Sequence, residues 1–235
     1  MKTLVSWLCA SLLCIASLSS ETLRDRLQQA EVGEFVVLAF DKRLVFADVV
    51  ETQSDVLTLE EISAPLSMPV PPKGGWRAWI AGGAPQHTSW TRTRISLATG
   101  AIQSIYSLDT KEFLAQDTQN FLPTLLALPF QRIDTSERRR VGPAPMAGEL
   151  DLRRLWAPKI MFEGQEITTK VDVVRVTWPK DGSELSGKVL DLYFPHAPAL
   201  AFFPYWIEGY GPFSKFKVRV IDSGRLPVIH SSPSA

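Results

Sequence analysis

Hydrophobic and polar positions alternate along most of the chain after residue 33, which is the pattern of half-buried β-strands. The runs are short and separated by brief polar breaks, so antiparallel hairpins are expected. The predicted strands cover residues 33–40, 43–51, 56–63, 76–84, 88–97, 101–108, 165–179, 186–195, 199–211 and 215–224. About nine or ten strands of this kind are too many for one flat sheet.

A second pattern, with apolar residues three to four positions apart, predicts a few helices. Residues 21–32 form an amphipathic helix in this interpretation, and Gly33 is placed to end it. Residues 109–128 predict two further short helices. Asp109 can cap the first, with Glu112 at the capping-box position, and Pro123 fits only the first turn of the second, which Asn120 would cap.

The sum of these elements predicts a mainly β (α+β) fold. We expect one large curved antiparallel sheet, as a half-barrel or a barrel, with a few helices packed on it. Residues 134–150 are polar and rich in proline and glycine, so they are expected to form a loop. The predicted organisation is a single β-rich domain over residues 20–226 and a flexible tail over 227–235.

Residues 1–19 are typical of a secretory signal peptide. Lys2 supplies the positive start, and an apolar stretch follows over residues 4–18. That stretch of roughly 15 residues is short for a membrane span, which needs about 20, so a cleaved signal is favoured over an uncleaved anchor. Small residues allow cleavage after Ser19 or after Ser20, and the sequence does not choose between them.

The composition limits which cell compartment and which class of binding partner are expected. The 25 basic and 25 acidic residues of this 235-residue chain balance, which argues against a general nucleic-acid binder. Both cysteines, Cys9 and Cys14, lie in the predicted signal, so the mature chain would have no disulfide and no thiol nucleophile. Asn120 is the only asparagine and begins no glycosylation sequon. An exported protein of this kind fits a bacterial periplasm.

No motif of an enzyme is present, and we predict no catalytic set, no metal site and no cofactor. Close carboxylates occur at Glu60 and Glu61 and at Glu149 and Asp151. A hydrolase would need two such groups to converge in a pocket, with the pKa of one of them raised. The three histidines are far apart and are interpreted as surface residues: His87, His196 and His230.

The densest aromatic stretch of the chain lies at residues 195–213. Aromatic side chains at such density line an apolar cavity or form a core strand, and Pro204 would suit an edge strand or the mouth of a barrel. The residues predicted to contact an apolar ligand are Phe202, Phe203, Tyr205 and Trp206, with Leu125 from the helical region.

Arg138, Arg139 and Arg140 form the core of the only dense basic cluster. Guanidinium groups bind phosphate in a bidentate manner, so this cluster predicts contact with lipid phosphates or with an acidic partner. The alternative is a solvated loop whose charge is offset by nearby acidic residues such as Glu137.

Two resemblances follow from these features. The export signal, the leading amphipathic helix, the many strands and the missing catalytic set resemble periplasmic lipoprotein carriers of the LolA and LppX type. That resemblance implies a half-open barrel that holds acyl chains under helices. Separately, the blocks at residues 178–188, 203–208 and 219–224 are similar to uncharacterised exported proteins of chlamydia-like bacteria.

The sequence therefore predicts a non-catalytic periplasmic carrier that shelters a lipid or another apolar ligand in a curved sheet. The expected partners are a lipid or the acyl chain of a lipoprotein, with peripheral membrane contact at most and no nucleic acid. The alternative is a structural or protein-interaction module of the cell envelope. A hydrolase that uses scattered carboxylates ranks third.

Overall fold

The computed structural model describes residues 22–70, 72–115, 121–196, 202–210 and 216–227. The predicted signal peptide lies outside the described residues, as does the predicted tail beyond its first residue.

Eleven strands of the described chain form one antiparallel sheet, in the order β6-β5-β4-β3-β2-β1-β13-β12-β11-β10-β7. A separate two-stranded hairpin consists of β8 and β9. The strands are β1 (Glu34–Phe40), β2 (Arg43–Gln53), β3 (Val56–Pro65), β4 (Ser89–Ser96), β5 (Ile102–Ser107), β6 (Glu112–Leu114), β7 (Gln131–Arg132), β8 (Ile160–Phe162), β9 (Gln165–Ile167), β10 (Val171–Thr177), β11 (Val189–Pro195), β12 (Trp206–Tyr210) and β13 (Phe216–Arg225).

The prediction of a mainly β fold with one large antiparallel sheet is confirmed. The sheet is open, because β6 and β7 stand at its two ends and do not pair with each other among the described residues. A closed barrel, which was one of the two expected forms, is therefore not what the described strands build. Pro204 precedes β12 rather than interrupting it, and β12 is an internal strand between β11 and β13.

Three helices accompany the sheet: α1 (Leu23–Leu27), α2 (Gly75–Ala81) and α3 (Phe121–Ala127). The helix predicted over residues 21–32 is present but short. It begins with a capping box in which the Thr22 hydroxyl accepts a hydrogen bond from the Asp25 amide, while the Asp25 carboxylate accepts one from the Thr22 amide. The helix predicted around Pro123 is present as α3.

The other helix predicted from residue 109 is wrong. Lys111 has a φ of 59°, which belongs to a tight turn, and the chain then continues as β6. Asp109 does not cap a helix. Its carboxylate accepts hydrogen bonds from the Trp90 amide at 2.8 Å and from the His87 ring at 2.8 Å, so it ties this turn to β4.

The strand predicted over residues 76–84 is also wrong, because this segment begins with helix α2. Trp76 and Trp79 are three residues apart, and both are buried on one side of the helix. Gly74 precedes the helix with a φ of 84°, a conformation that favours glycine. The two tryptophan rings pack edge to face, 5.9 Å apart.

The two faces of the sheet carry separate hydrophobic clusters. On the first face α1 and α3 bury leucines such as Leu23 and Leu125 against strand residues such as Leu192. On the second face Trp76 and Trp79 of α2 pack against a smaller set of strand residues: Phe35, Val37, Ala39, Leu44, Phe46, Ile62 and Ala64. Because α2 is only seven residues long, it covers only part of the second face.

Asp222 of β13 links two elements to the sheet: helix α2 on the second face and the β8–β9 hairpin, whose Ile160 belongs to the cluster on the first face. Its carboxylate accepts hydrogen bonds from Nε1 of Trp76 at 2.7 Å, from the amide of Gly164 at 3.0 Å and from the amide of Ser223 at 2.9 Å. Gly164 lies in the turn of the β8–β9 hairpin, so one buried carboxylate positions both that hairpin and α2. Buried polar groups require such partners, since an unpaired one is costly.

We expect Asp222→Ala to lower the free energy of unfolding by about 2–4 kcal/mol, because it leaves buried donors without an acceptor. Trp76→Phe replaces the buried indole by a smaller aromatic ring and removes one donor, but it leaves the Gly164 and Ser223 amides paired with Asp222, so its loss should be smaller. Urea unfolding of both variants measures the difference. Equal losses in the two variants would contradict the anchoring role of Asp222.

Candidate functional site

A groove of about 660 Å³ lies on the second face, on strands β2 to β6. Phe46 and Ile62 are near one end of it, and the Phe46 ring lies 6.0 Å from that of Trp76 in α2. Beyond helix α2, strands β2 to β4 carry polar residues on this same face. The residues that line the groove are Val32, Gly33, Asp48, Val49, Val50, Glu51, Thr58, Glu60, Arg92, Arg94, Ser104, Tyr106, Phe113, Leu226 and Pro227.

Strand register aligns the central residues of the groove in one row. Asp48 is opposite Glu60, Glu60 is opposite Arg92, Arg92 is opposite Tyr106, and Tyr106 is opposite Phe113. Residues directly opposite each other point to the same face of a sheet, with Cβ atoms about 4.5–5.5 Å apart. The row therefore places two carboxyl groups, a guanidinium group and two aromatic rings side by side along the groove.

Asp48 is the most perturbed group in this row. It is only 8% exposed, and burial, followed by the nearby charge of Glu60, raises its pKa from 3.8 to about 7. The Arg92 charge and a backbone hydrogen bond act in the opposite direction and only partly offset this. Among the described residues, no other side chain makes a hydrogen bond to the Asp48 carboxyl.

Glu60, by contrast, is held from two sides. Its Oε1 accepts a hydrogen bond from Nε1 of Trp90 at 2.8 Å, and its Oε2 accepts one from Nε of Arg92 at 2.6 Å. The geometry with Arg92 is that of a charge-assisted hydrogen bond. These contacts keep a carboxylate fixed beside Asp48.

The next row of paired residues along the groove contains one acidic, one basic and two hydroxyl side chains. The Thr58 hydroxyl donates to Glu51 at 3.2 Å, and Arg94 and Ser104 follow on β4 and β5. The rings of Tyr106 and Phe113 lie 5.2 Å apart at the end of the first row. Phe113 is 73% exposed, so an aromatic surface is presented beside the charged groups.

The five residues predicted to contact an apolar ligand lie elsewhere. Phe202, Phe203, Tyr205 and Leu125 are buried, and they belong to the larger core cluster with many other apolar residues. The Tyr205 hydroxyl donates to the carbonyl oxygen of Met161 at 2.8 Å and is hydrogen-bonded to Ser223. None of the five lines the groove, so a ligand cavity formed by them stays a prediction.

Trp206 is half-buried and belongs to an aromatic stack beside the arginine loop. Its ring lies 5.0 Å from that of Trp156, which in turn lies 5.1 Å from that of Tyr193. Cations cover the stack on both sides, with Arg139 4.5 Å from the centre of the Trp156 ring and Lys217 4.6 Å from that of Trp206.

The three arginines that are predicted to bind an anion or a partner all have partners within the chain. Arg138 donates to the carbonyl oxygen of Val171 at 3.1 Å, and Arg139 forms an ion pair with Glu208 at 3.2 Å. Arg140 donates to the carbonyl oxygen of Arg153 at 2.8 Å and also pairs with Asp151. Arg138 and Arg139 thus connect the loop after Asp134 to the sheet, and Arg140 connects two parts of that loop. Phosphate binding by these arginines stays a prediction.

The remaining candidate groups are distributed over the surface. Glu149 accepts a hydrogen bond from the Met146 amide, and a hydrogen bond from Arg153 lowers the pKa of Asp151 to about 2. Both carboxylates therefore have partners within their own loop. His196 contacts Asp172 at 3.0 Å and, like the pair of His87 and Asp109, is near the surface. His230 lies outside the described residues.

The described residues contain neither a cluster of metal ligands nor a membrane-spanning helix. No three His, Cys, Asp or Glu side chains in that part of the chain are grouped as metal ligands. In the same part of the chain, no helix has the length and apolar character that a membrane crossing requires.

Sequence reasoning missed Asp48, although a signal was present. Leu44, Phe46 and Asp48 alternate along β2 and share one face, so a carboxyl group interrupts an otherwise apolar stripe. Buried aspartates without an obvious partner are unusual and mark candidate sites. Glu60 was noted only as a neighbour of Glu61, whereas strand pairing makes Asp48 its relevant partner.

Fold and groove together define a mainly β protein with an open eleven-stranded antiparallel sheet and a charged groove on one face. The chain belongs to the CT021 protein family, whose sequence model matches residues 45–168. This range contains most of the groove.

A solved structure, that of the hypothetical protein CT021 from Chlamydia trachomatis, has the same fold. The TM-score is 0.62 at 18% sequence identity, over 87% of this chain and 93% of that chain. No curated protein matches the chain. The predicted relation to uncharacterised chlamydial proteins is thus confirmed, and at this identity the structural likeness concerns the fold alone.

We expect Asp48→Asn to be more stable than the unaltered protein at pH 8 and similar to it at pH 4. A folded-state pKa raised from 3.8 to about 7 means that the folded protein holds a proton which the unfolded chain releases, so stability falls as the pH rises between these values. At pH 8 the free energy of unfolding of Asp48→Asn should therefore exceed that of the unaltered protein by about 4 kcal/mol.

Urea unfolding of both proteins at pH 4 and pH 8 measures this difference. Burial also raises the pKa of Glu61, but Glu61 is present in both proteins and cancels in the comparison. A difference that is the same at both pH values would contradict the raised pKa of Asp48.

Proposed function

We propose that this protein is a non-catalytic binding protein that carries a lipid or another amphipathic ligand in the groove on the second face. The observation that carries the proposal is the lining of the groove. Charged side chains such as Asp48 and Arg94 lie there beside apolar ones, such as the exposed Phe113 and the partly buried Leu226. A volume of about 660 Å³ is within the range of small-ligand sites.

The proposed compartment is the periplasm, reached by a cleaved signal peptide over residues 1–19. The support is the short positive start and the apolar stretch at residues 4–18. A carrier of the LolA and LppX type remains part of this proposal. The open sheet with helices on both faces supports this part of the proposal. The proposed site differs from the cavity that the resemblance implies, because its walls carry charged side chains.

A binding role is preferred to hydrolysis, although two carboxyl groups do meet in the groove and one has a raised pKa. In an acid–base pair, both carboxyls must be available to the substrate. Each oxygen of Glu60 already accepts a hydrogen bond, from Trp90 and from Arg92. We therefore assign Glu60 the part of a fixed charge and not that of a base or nucleophile.

One observation favours the second candidate, an interaction module of the cell envelope. The loop over residues 141–152 exposes several apolar side chains, with Leu150 80% and Leu152 84% exposed. Arg140 and Arg153 hold the base of this loop through Asp151, which leaves the apolar residues on its outside. In this candidate the loop contacts a partner protein and the groove has no ligand.

We expect Ser104→Trp to abolish ligand binding, because the indole would fill the groove from β5. Ile105→Trp adds the same group to the opposite face of that strand, in its regularly paired part, and should bind normally. Native mass spectrometry of the proteins purified from a bacterial periplasm, before and after extraction with organic solvent, measures the bound mass. The proposal fails if none of the three proteins carries an extractable ligand.

For the second candidate, we expect the double substitution Leu150→Asp and Leu152→Asp to remove crosslinks to an envelope protein without lowering stability, because both side chains are exposed. Photocrosslinkers placed at residue 146 in the cell measure contact, and urea unfolding measures stability. Met146 is in the same exposed loop, so absence of any crosslink from this position would count against the interaction module.

A further inference from the structure

We propose that the groove binds an aliphatic ammonium group between the carboxyls of Asp48 and Glu60, and that binding releases a proton from Asp48. This inference rests on the proposed function, because it names the chemical class of ligand that the same groove accepts.

The first argument is that, among the described residues, no side chain donates a hydrogen bond to Asp48, whose carboxyl group is hydrogen-bonded only to its own backbone. Glu60 receives hydrogen bonds from Trp90 and Arg92, and Glu51 receives one from Thr58. Within the described part of the chain, Asp48 has no such donor, although it is more than nine-tenths buried and lines the groove. The Asp48 oxygens are not among the buried side-chain atoms that lack a partner, and Asp48 lines the groove, so a donor on a ligand can reach them there.

The second argument is charge. The lining contains three acidic side chains, Asp48, Glu51 and Glu60, and two basic ones, Arg92 and Arg94. With Asp48 ionised, the lining is therefore one charge more acidic than basic, and the Arg92 charge is already matched by Glu60. A ligand with a single positive charge makes the groove neutral.

The third argument concerns the kind of cation. An ammonium group has three donors in a compact head, so it can contact both carboxyls of a cross-strand pair at once. Calcium and magnesium take six or more oxygen ligands and would have to fill most of these positions with water here, because both Glu60 oxygens already accept a hydrogen bond. The geometry thus fits an organic cation better than a divalent metal.

The fourth argument concerns the body of the ligand. Beside the carboxyl pair, the groove is lined by apolar side chains from several segments: Val32, Val50, Phe113, Leu226 and Pro227. An alkyl chain attached to the ammonium group would cover this surface and bury it from water. The ligand class is therefore an aliphatic primary amine, free or as the head of a larger amphiphile.

Proton release follows from the position of Asp48. Burial holds its pKa near 7 in the empty groove, and a neighbouring positive charge favours the ionised form. The other charged or titratable groups on this face are Glu51 on β2, Glu60 on β3, Arg92 and Arg94 on β4 and Tyr106 on β5. If Asp48 must ionise to bind the ammonium group, affinity falls about tenfold between pH 8 and pH 6.

The test uses n-hexylamine and 1-hexanol, which have equal chain lengths and differ in charge. The amine stays protonated over this pH range, as a lysine side chain does. Isothermal titration calorimetry at pH 6 and pH 8, in two buffers with different heats of ionisation, gives the affinity and the number of protons released. It is carried out on the unaltered protein and on Asp48→Asn.

We expect the amine to bind the unaltered protein at least tenfold more tightly than the alcohol at pH 8. Binding should release nearly one proton at pH 6 and only about a tenth of a proton at pH 8, with about a tenfold weaker affinity at pH 6. Asp48→Asn should bind the amine at least tenfold more weakly at pH 8 and show no dependence on pH. Proton release is measured on the unaltered protein, so the test does not depend on the folding of the variant.

Equal binding of the amine and the alcohol, or amine binding without proton release, overturns the ammonium site. The groove as a ligand site survives that result if Ser104→Trp still removes a co-purified ligand. No amine binding up to millimolar concentration at pH 8 likewise overturns the inference. The proposed function is overturned separately if no co-purified ligand is found that Ser104→Trp removes.

Discussion

The pairing of β1 with β13 is the constraint on which the rest of the structure depends. Strands β1 to β6 follow one another in sequence, and so do β10 to β13, but only this pair joins the two sets into one sheet. The register between Val36 and Ser223 brings the start of the described chain against its end. The first cluster, whose buried residues come from both sets, and the anchor at Asp222 exist because this one junction is made.

The groove is a consequence of how the second face is covered. Helix α2 buries the apolar part of β1 to β3 and ends before the rows of polar residues begin. One end of β2 and β3 therefore belongs to the hydrophobic core, and the other end lines the groove. Asp48 lies two residues beyond the buried Phe46 on the same face of β2. Its position at the margin of the core explains both its burial and its raised pKa.

Sequence patterning was sufficient for the class of fold, because alternation in runs such as residues 43–51 reports directly which side of a strand is buried. It failed at residues 76–84, where two tryptophans on a short helix resemble a β-rich run, and at residue 109, where a capping aspartate serves a turn. The pair of Asp48 and Glu60 could not be found in this way. The two residues are adjacent only through strand register, which depends on the whole sheet.

The most direct measurement is the titration of the Asp48 side-chain carboxyl by carbon-13 NMR in the ligand-free protein, with the signal assigned by comparison with Asp48→Asn. The account predicts a midpoint near pH 7, as expected for a buried carboxyl beside Glu60. A midpoint near pH 4, the ordinary value for a solvated aspartate, would contradict it. In that case Asp48 would be hydrated or paired, and the groove would have no carboxyl in need of a ligand.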